Sequence, residues 1–441
     1  MSWAAEEFRD LDLGDKRREA RTVRLAERLA DRPTASLPGA CAGWAETQGA
    51  YRLLRQETFD WLDLLHPHRQ CTAQRMAPHP VVLCIQDTTE LDFNGQQIDG
   101  LGPLSYEAQR GMYLHPTLAV SPDREPLGVL DAWMWAREPK DAAGNRPGEK
   151  ESTRWVEGYA RVSELAAQLP QTRLVYVGDR ESDMLDVMVR AHDGAYRADY
   201  LLRSQHNRAL PEGGKLWEEV RASEVLGELR FVLPPTKQRK TRAVRQQVRA
   251  KRVALSDRRG GQLEVTCLIA SEIDAPAGET PIEWRLLTNR EVEDFAAAAE
   301  LVDWYRARWE IELFFLVLKQ GCRVEALQLS TITRLEKALV LFMIVAWRIA
   351  RLMRLGRTCP DLDAALLFSP EEWQAAYILS KKRPPKQAPT LNTVIRLIAG
   401  LGGFLGGKGD GEPGMKTLWL GLERVRDFAD GMRFAQEMYT T

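Results

Sequence analysis

Residues 80–89, Pro80-Val81-Val82-Leu83-Cys84-Ile85-Gln86-Asp87-Thr88-Thr89, decide how the rest of the chain is read. Five consecutive apolar residues between a proline and a polar run are too short for a stable helix. They fit a central strand buried on both faces. Arg173–Val177 repeats the pattern and ends in Gly178-Asp179. Open α/β sheets present ligands at the carboxyl ends of their strands, so Asp87 and Asp179 could converge on one site. An aspartate there can equally form a turn or cap a helix, and a helical stretch follows Asp179. Position alone therefore leaves both readings open.

Working outward, residues 1–70 read as helical, with helical spacing in Ala20–Leu29 and Gln48–Leu54 and a break at Leu37-Pro38-Gly39. After the first strand come two more, Met112–Val120 and Leu127–Trp135, then an amphipathic helix at about 153–168. A helix from about Glu181 to Ala191 follows the Arg173 strand, and Ala198–Arg203 is a further strand. Residues 208–283 look like an insertion with β-type stretches, Trp284–Leu287 resumes the core, and Val292–Val317 reads as one long helix. Another helix spans about Leu335–Leu355, and Pro384-Pro385 marks a linker. Strand, two strands, helix, strand, helix, strand and a terminal helix is the element order of a ribonuclease-H-like α/β sheet. The fold expected is that core with a β-strand insertion, flanked by helical N- and C-terminal domains.

The chain has 441 residues, enough for two or three domains, with 44% hydrophobic and 28% charged residues, which excludes wholesale disorder. No segment approaches the ~20 uninterrupted apolar residues of a membrane span, and the charged start lacks a secretory signal. A cytosolic protein is expected. The six cysteines form no C-x-x-C pair, and His66-Pro67-His68 lies in what reads as a Pro-broken loop, so no cysteine or histidine metal site is expected. Net charge is −1, yet the basic residues cluster. Residues 237–259 carry ten Lys/Arg against the single acid Asp257. Lys16, Arg17, Arg18, Arg21, Arg24 and Arg28 form a second cluster, and Lys381, Lys382, Arg383 and Lys386 a third. Each can be plain solvated surface; three on a neutral chain favour a polyanionic partner.

The stretch Tyr305-Arg306-Ala307-Arg308-Trp309-Glu310-Ile311-Glu312 tips the balance for the aspartates. On one helix, Trp304, Ile311, Phe314, Phe315 and Leu318 gather into an apolar stripe. Tyr305, Arg308, Glu312 and Lys319 line its edge, a set suited to a phosphate-rich ligand with a metal ion. Glu310 points elsewhere, and its removal is expected to be harmless.

Tyr305-x2-Arg308-x3-Glu312-x6-Lys319 resembles the signature of bacterial cut-and-paste insertion-sequence transposases of the DDE type. Gln86-Asp87-Thr88-Thr89 is similar to that family's first-Asp motif, and Gly178-Asp179-Arg180-Glu181-Ser182-Asp183 to its second. Glu149-Lys150-Glu151-Ser152-x2-Trp155, Arg203-Ser204-x-His206, Trp284-x-Leu286-Leu287-Thr288, Leu13–Arg18 and Leu401–Phe404 also look alike. The resemblance covers essentially the whole chain. It implies a helical DNA-end-binding domain over 1–70, a ribonuclease-H-like catalytic domain over 71–365 and a helical dimerisation domain over 366–441. Asp87, Asp179 and Glu312 would hold two Mg²⁺ ions, with Mn²⁺ as a substitute. Tyr305, Arg308 and Lys319 would grip phosphates at the transposon end, and Arg203 would be another end contact. Trp284 would stack on a base flipped from the end, and Lys16, Arg17 and Arg18 would belong to the first DNA-binding helix.

The partners implied are double-stranded DNA, as transposon ends and as target, and a second copy of the chain in the paired-end complex. No membrane, ATP or covalent enzyme intermediate is implied. The resemblance also places the protein in the bacterial cytoplasm, nucleoid-associated when DNA-bound. Leu185 departs from the family, whose best-known member has a DNA-contacting histidine there, which bears on end specificity rather than chemistry. Two other functions fit part of the pattern: a catalytically silent DNA-binding inhibitor, and a ribonuclease-H-like repair nuclease. Gly402-Gly403-x2-Gly406-Gly407 has no preceding strand and no following Lys-Ser/Thr, so it reads as a hinge rather than a nucleotide loop.

Overall fold

The apolar run at Val81 becomes strand β1 (Val81–Gln86), hydrogen-bonded on both edges and buried along nearly its whole length. The computed structural model describes residues 2–194, 198–233, 241–257, 260–407 and 410–440. Its other strands are β2 (Thr89–Asp92), β3 (Gly102–Pro103), β4 (Arg110–Val120), β5 (Pro126–Trp135), β6 (Arg173–Gly178), β7 (Asp199–Arg203), β8 (Gly227–Leu233), β9 (Arg242–Ser256), β10 (Gln262–Ile273) and β11 (Glu283–Thr288). All belong to one mixed sheet. Its centre runs β5-β4-β1-β6-β7, with β1, β6 and β7 parallel and β4 and β5 antiparallel to their neighbours. This is the ribonuclease-H-like arrangement. The inserted segment adds β8, β9 and β10, joined to the centre through β11, which pairs with β7.

Alternation along the strands sorts the side chains onto two cores. Leu83, Ile85, Val175, Val177, Leu201 and Leu286 face the larger core, under the helices Phe295–Arg306, Trp309–Leu316 and Ile332–Thr358. Val82, Cys84, Leu174, Tyr176, Tyr200 and Leu202 face the other, under the helices Thr153–Gln168 and Leu185–Asp193. The helix Ile332–Thr358 is apolar around most of its circumference, with every residue from Ala338 to Ala346 buried. It can be so because the sheet, N-terminal helices and C-terminal helices all pack on it. Among the described residues no helix is long and apolar enough to cross a membrane.

The sheet is irregular beside Asp87. Gln86 pairs with Thr117 and Thr89 with Leu114, so β1 and β2 share one frame along β4. That frame sets Asp87 opposite Pro116 and Thr88 opposite His115. Pro116 has no N–H to give the ladder, and the strand lapses at these two residues.

Several expectations are corrected. His66-Pro67-His68 lies inside the helix Trp61–Met76, not a loop; a capping box between Asp60 and Asp63 starts this helix. His68 is fully buried, with Nδ1 2.5 Å from Glu7 Oε1 and Nε2 accepting from the Val129 amide at 2.9 Å. The helix expected at Glu181–Ala191 begins only at Leu185, after a tight turn at Arg180–Ser182. Asp183 forces the delay: it accepts from the amides of Gln205 and His206 and pairs with Arg208 at 2.6 Å.

The helix expected over Val292–Val317 is two, Phe295–Arg306 and Trp309–Leu316, followed by a wide turn over Val317–Gly321. The basic run is largely strand β9, with Val244, Gln246 and Val248 buried between exposed or half-buried neighbours. Its Arg242, Arg245, Lys251 and Arg252 are ion-paired with Glu272, Glu228, Glu219 and Glu264 respectively, so much of the apparent cationic surface is neutralised in place. Residues 237–240 and 258–259 of that run lie outside the described residues.

Candidate functional site

β1 and β6 are adjacent and parallel, with Ile85 level with Val177. Two residues beyond that pair, Asp87 and Asp179 leave the sheet side by side. Alternation puts both on the face of the larger core, with Ile85 and Val177. Asp179 Oδ1 accepts the Glu181 amide at 2.9 Å, so it also caps the following turn. The Thr88 amide donates to Asp87 Oδ1 at 2.8 Å. Burial pushes the Asp87 carboxyl up to about 6, and Asp179 and Glu312 push the same way, against the pull of Arg308 and the Thr88 amide. The three acids thus feel one another at a single place.

Tyr305, Arg308 and Glu312 reach that place from the broken helix above. The break matters: Ala307 and Arg308 form a tight turn in which Glu310 N–H bonds the Ala307 carbonyl at 3.0 Å and Ile311 N–H the Arg308 carbonyl at 3.1 Å. Arg308 bonds the Asp87 carboxylate and lies 3.6 Å from Glu312 Oε1. Burial lowers the Arg308 pKa, but Tyr305, Asp87, Glu312 and Asp179 outweigh it and raise the group overall. Tyr305 is 5% exposed. Burial raises its hydroxyl pKa, opposed by Arg308 and Arg203. Arg203, the last residue of β7, therefore belongs to the same cluster.

The remaining candidates are less uniform. Lys319 sits on the wide turn with Nζ 3.5 Å from Glu325 Oε1. Trp284 is half-buried, on the Leu286 face of β11, and stacks on Phe231 at 5.7 Å between ring centroids. Lys16, Arg17 and Arg18 open the helix Lys16–Asp31, capped by Asp15. Cations in a first turn oppose the helix dipole, a cost that a bound anion would reverse. Lys16 pairs with Glu19 at 2.7 Å and Arg18 bonds Thr58 Oγ1 at 2.9 Å, whereas Arg17 is exposed.

Glu310 points away from the site as expected, but sequence reasoning missed its partner and passed over Trp309. Glu310 is 5% exposed and ion-paired with Arg354, so its removal is expected to cost stability. Trp309, 64% exposed, stands next to Arg308 with its ring open to solvent. Arg180 and Arg285 were also missed; with Arg203, Ser204, Gln205 and Glu283 they line a cavity of about 240 Å³ beside Asp179. The sequence signal for both was adjacency to motif residues already marked.

Among the described residues no three acidic, histidine or cysteine side chains already clasp a common point. The donor chemistry nevertheless fits a divalent ion, since Asp87, Asp179 and Glu312 offer hard oxygen ligands from three elements. What occupies the space between Asp87 and Glu312 is the Arg308 guanidinium, itself a cation. The residues fit a metal once that side chain withdraws.

Comparison with known proteins agrees with this chemistry. Residues 1–59 match the family model "Transposase DNA-binding", residues 157–348 "Transposase DDE domain" and residues 344–441 "Transposase Tn5 dimerisation domain". Asp179 and Glu312 fall within the DDE match, and Asp87 precedes it. Among solved structures, a piggyBac transposase synaptic complex with hairpin DNA is similar at 10% identity and a TM-score of 0.39, over 78% of this chain and 68% of that one. A DDE domain implies a divalent metal cofactor, and the flanking segments imply a DNA partner and a dimer. The chain is an enzyme of the DDE-type transposases, resembling Tn5 transposase in its dimerisation segment.

Proposed function

We propose that this transposase binds the inverted repeats at transposon ends, pairs two ends as a dimer and moves the element by cut-and-paste. The steps are nicking to free a 3′-hydroxyl, attack on the opposite strand to give a hairpin, hairpin opening, and joining to target DNA. The observation that carries this reading is the level placement of Asp87 and Asp179 on adjacent parallel strands, faced by Glu312 and Arg308. Asp87, Asp179 and Glu312 would hold a pair of Mg²⁺ ions, with Mn²⁺ as a substitute. Such a metal pair would supply activation of the attacking water or 3′-hydroxyl and stabilisation of the leaving oxygen. Arg308, Tyr305, Lys319 and Arg203 hold the end phosphates in line with that site. Trp284 receives the flipped base on its indole ring. Lys16, Arg17 and Arg18 bind DNA through the N-terminal helix. The protein works in the bacterial cytoplasm, on the nucleoid.

The test is cleavage of a DNA containing one end. Ala variants of Asp87, Asp179 and Glu312 lose nicking while still shifting end DNA in a gel, because phosphate contacts dominate affinity. Nicking that survives in any of the three removes that residue from the metal site.

A further inference from the structure

The lapse in the sheet at Asp87 leaves two residues without a regular ladder, and one buried side chain replaces it. His115 lies on β4 with 1% exposure, directly across from Thr88 and on the opposite face of the sheet from the Asp87 carboxylate. Its Nδ1 is 2.8 Å from Thr88 Oγ1, and its Nε2 is 3.2 Å from Gln86 Oε1. Gln86 is held in turn: its Nε2 donates to Thr117 Oγ1 at 2.6 Å, and its Oε1 accepts from the Tyr176 hydroxyl at 2.8 Å.

These bonds place the imidazole between the two flanking residues. Nδ1 faces the Thr88 hydroxyl and Nε2 the Gln86 amide, so the ring bridges the two residues. The buried ring is neutral. Burial lowers its pKa to about 3, with Arg154 as the charge adding to the effect. Trp155 and Trp133 meet the ring edge-on at 4.6 and 5.8 Å and fix its plane. The helix above is seated hard on the same network: a Cβ at Gly158 would come within 2.2 Å of the Gln86 amide.

We infer that His115 is a positioning residue for the Asp87 carboxylate. It grips Gln86 and Thr88, the residues on either side, where Pro116 brings no N–H to the ladder. Thr88 passes the constraint on, because its amide donates to Asp87 Oδ1. The inference rests on the proposed role of Asp87 as a metal ligand.

Mn²⁺ binding to the full chain without DNA tests it, read from the signal of free Mn²⁺ by electron paramagnetic resonance. Nicking against metal concentration, end binding by gel shift and thermal melting accompany it. His115→Leu and Thr88→Val are each expected to weaken Mn²⁺ binding about tenfold or more, as outer partners of metal ligands do. Nicking recovers at high metal, and end binding stays within about twofold. The double variant is no worse than the worse single one, since both cut the same link. His115→Asn, which keeps a polar partner for Thr88, stays close to wild type. Unchanged Mn²⁺ affinity in both His115→Leu and Thr88→Val, with only a lower melting temperature in either, overturns the inference and leaves His115 a core residue. If Asp87→Ala itself leaves Mn²⁺ affinity unchanged, the reading of Asp87 as a ligand fails and the inference falls with it.

Discussion

The Arg308 guanidinium bonds the carboxylate of Asp87, a residue 221 positions away in the chain, and stands 3.6 Å from Glu312 Oε1. A side chain expected to hold DNA phosphate holds, in the free protein, the acids expected to hold metal. Two unit charges about 4 Å apart interact by roughly 4 kcal/mol at the effective dielectric of a protein surface. Arg308→Gln is therefore expected to tighten Mn²⁺ binding at least about tenfold in the absence of DNA, while end cleavage falls. Titration of both proteins with Mn²⁺ checks this, and equal affinities mean the guanidinium does not compete.

Glu310 and Glu312 are two residues apart and have opposite fates. Glu310→Ala leaves the partly exposed Arg354 without its buried carboxylate and is expected to cost about 2–3 kcal/mol of stability. Glu312→Ala removes a half-exposed acid from a cluster of acids and costs little. Denaturant midpoints of the two variants separate them; equal midpoints show that the Glu310–Arg354 pair carries no stability.

The end of the last helix, Met415–Thr440, displays Phe434, Met438 and Tyr439 at 64, 61 and 91% exposure. Phe434 and Met438 are one turn apart on one face. Charged substitutions there (Phe434→Glu with Met438→Glu) are expected to abolish paired-end complexes and spare single-end binding, read by native gel. Truncation before Leu391 is a poorer experiment, because Leu391, Leu418, Leu422 and Val425 are fully buried in the main core.

Glu336 supplies a pH dependence away from the site. Burial, with Asp60 adding and Lys337 opposing, raises its carboxyl from 4.5 to about 7. The folded state therefore binds the proton more tightly, so the stability this group contributes is greatest below about pH 4.5 and is lost as pH rises through 7. Solvent screening of this partly exposed group reduces the effect to about 1 kcal/mol. Glu336→Gln is expected to melt higher than wild type at pH 8 and to lose that advantage near pH 5. An advantage that is the same at both values contradicts the assignment.

For Trp284, stacking an extruded base returns about 1–3 kcal/mol. Trp284→Ala is expected to slow hairpin formation by roughly one to two orders of magnitude at about 1.4 kcal/mol per tenfold. First-strand nicking survives, so nicked DNA accumulates. Equal loss of both steps, or a lowered melting temperature, makes the Phe231 stack its whole purpose.

The order of the central strands was legible because doubly buried strands leave apolar runs such as Val81–Ile85, and their ends mark Asp87 and Asp179. The break at Ala307-Arg308 was not legible, since residues 305–312 contain no Gly or Pro and read as continuous helix. Strand β9 had a usable signal, the alternation of Val244, Gln246 and Val248, but its charges mask it. Pro67 reads as a helix breaker, yet the Asp60–Asp63 capping box outweighs it. His115 carried no local signal. Its meaning comes from a cross-strand register that only the folded sheet supplies.

The ion pairs along β9 bear on how the protein searches a genome. Non-specific affinity for DNA comes almost wholly from counterions released as free cations meet phosphates. Arginines already matched to glutamates release few, so a plot of log affinity against log salt should be shallow outside the end sequence. Random DNA is then held chiefly by exposed cations away from this strand, such as Arg17, and β9 contributes little to how long the protein stays there.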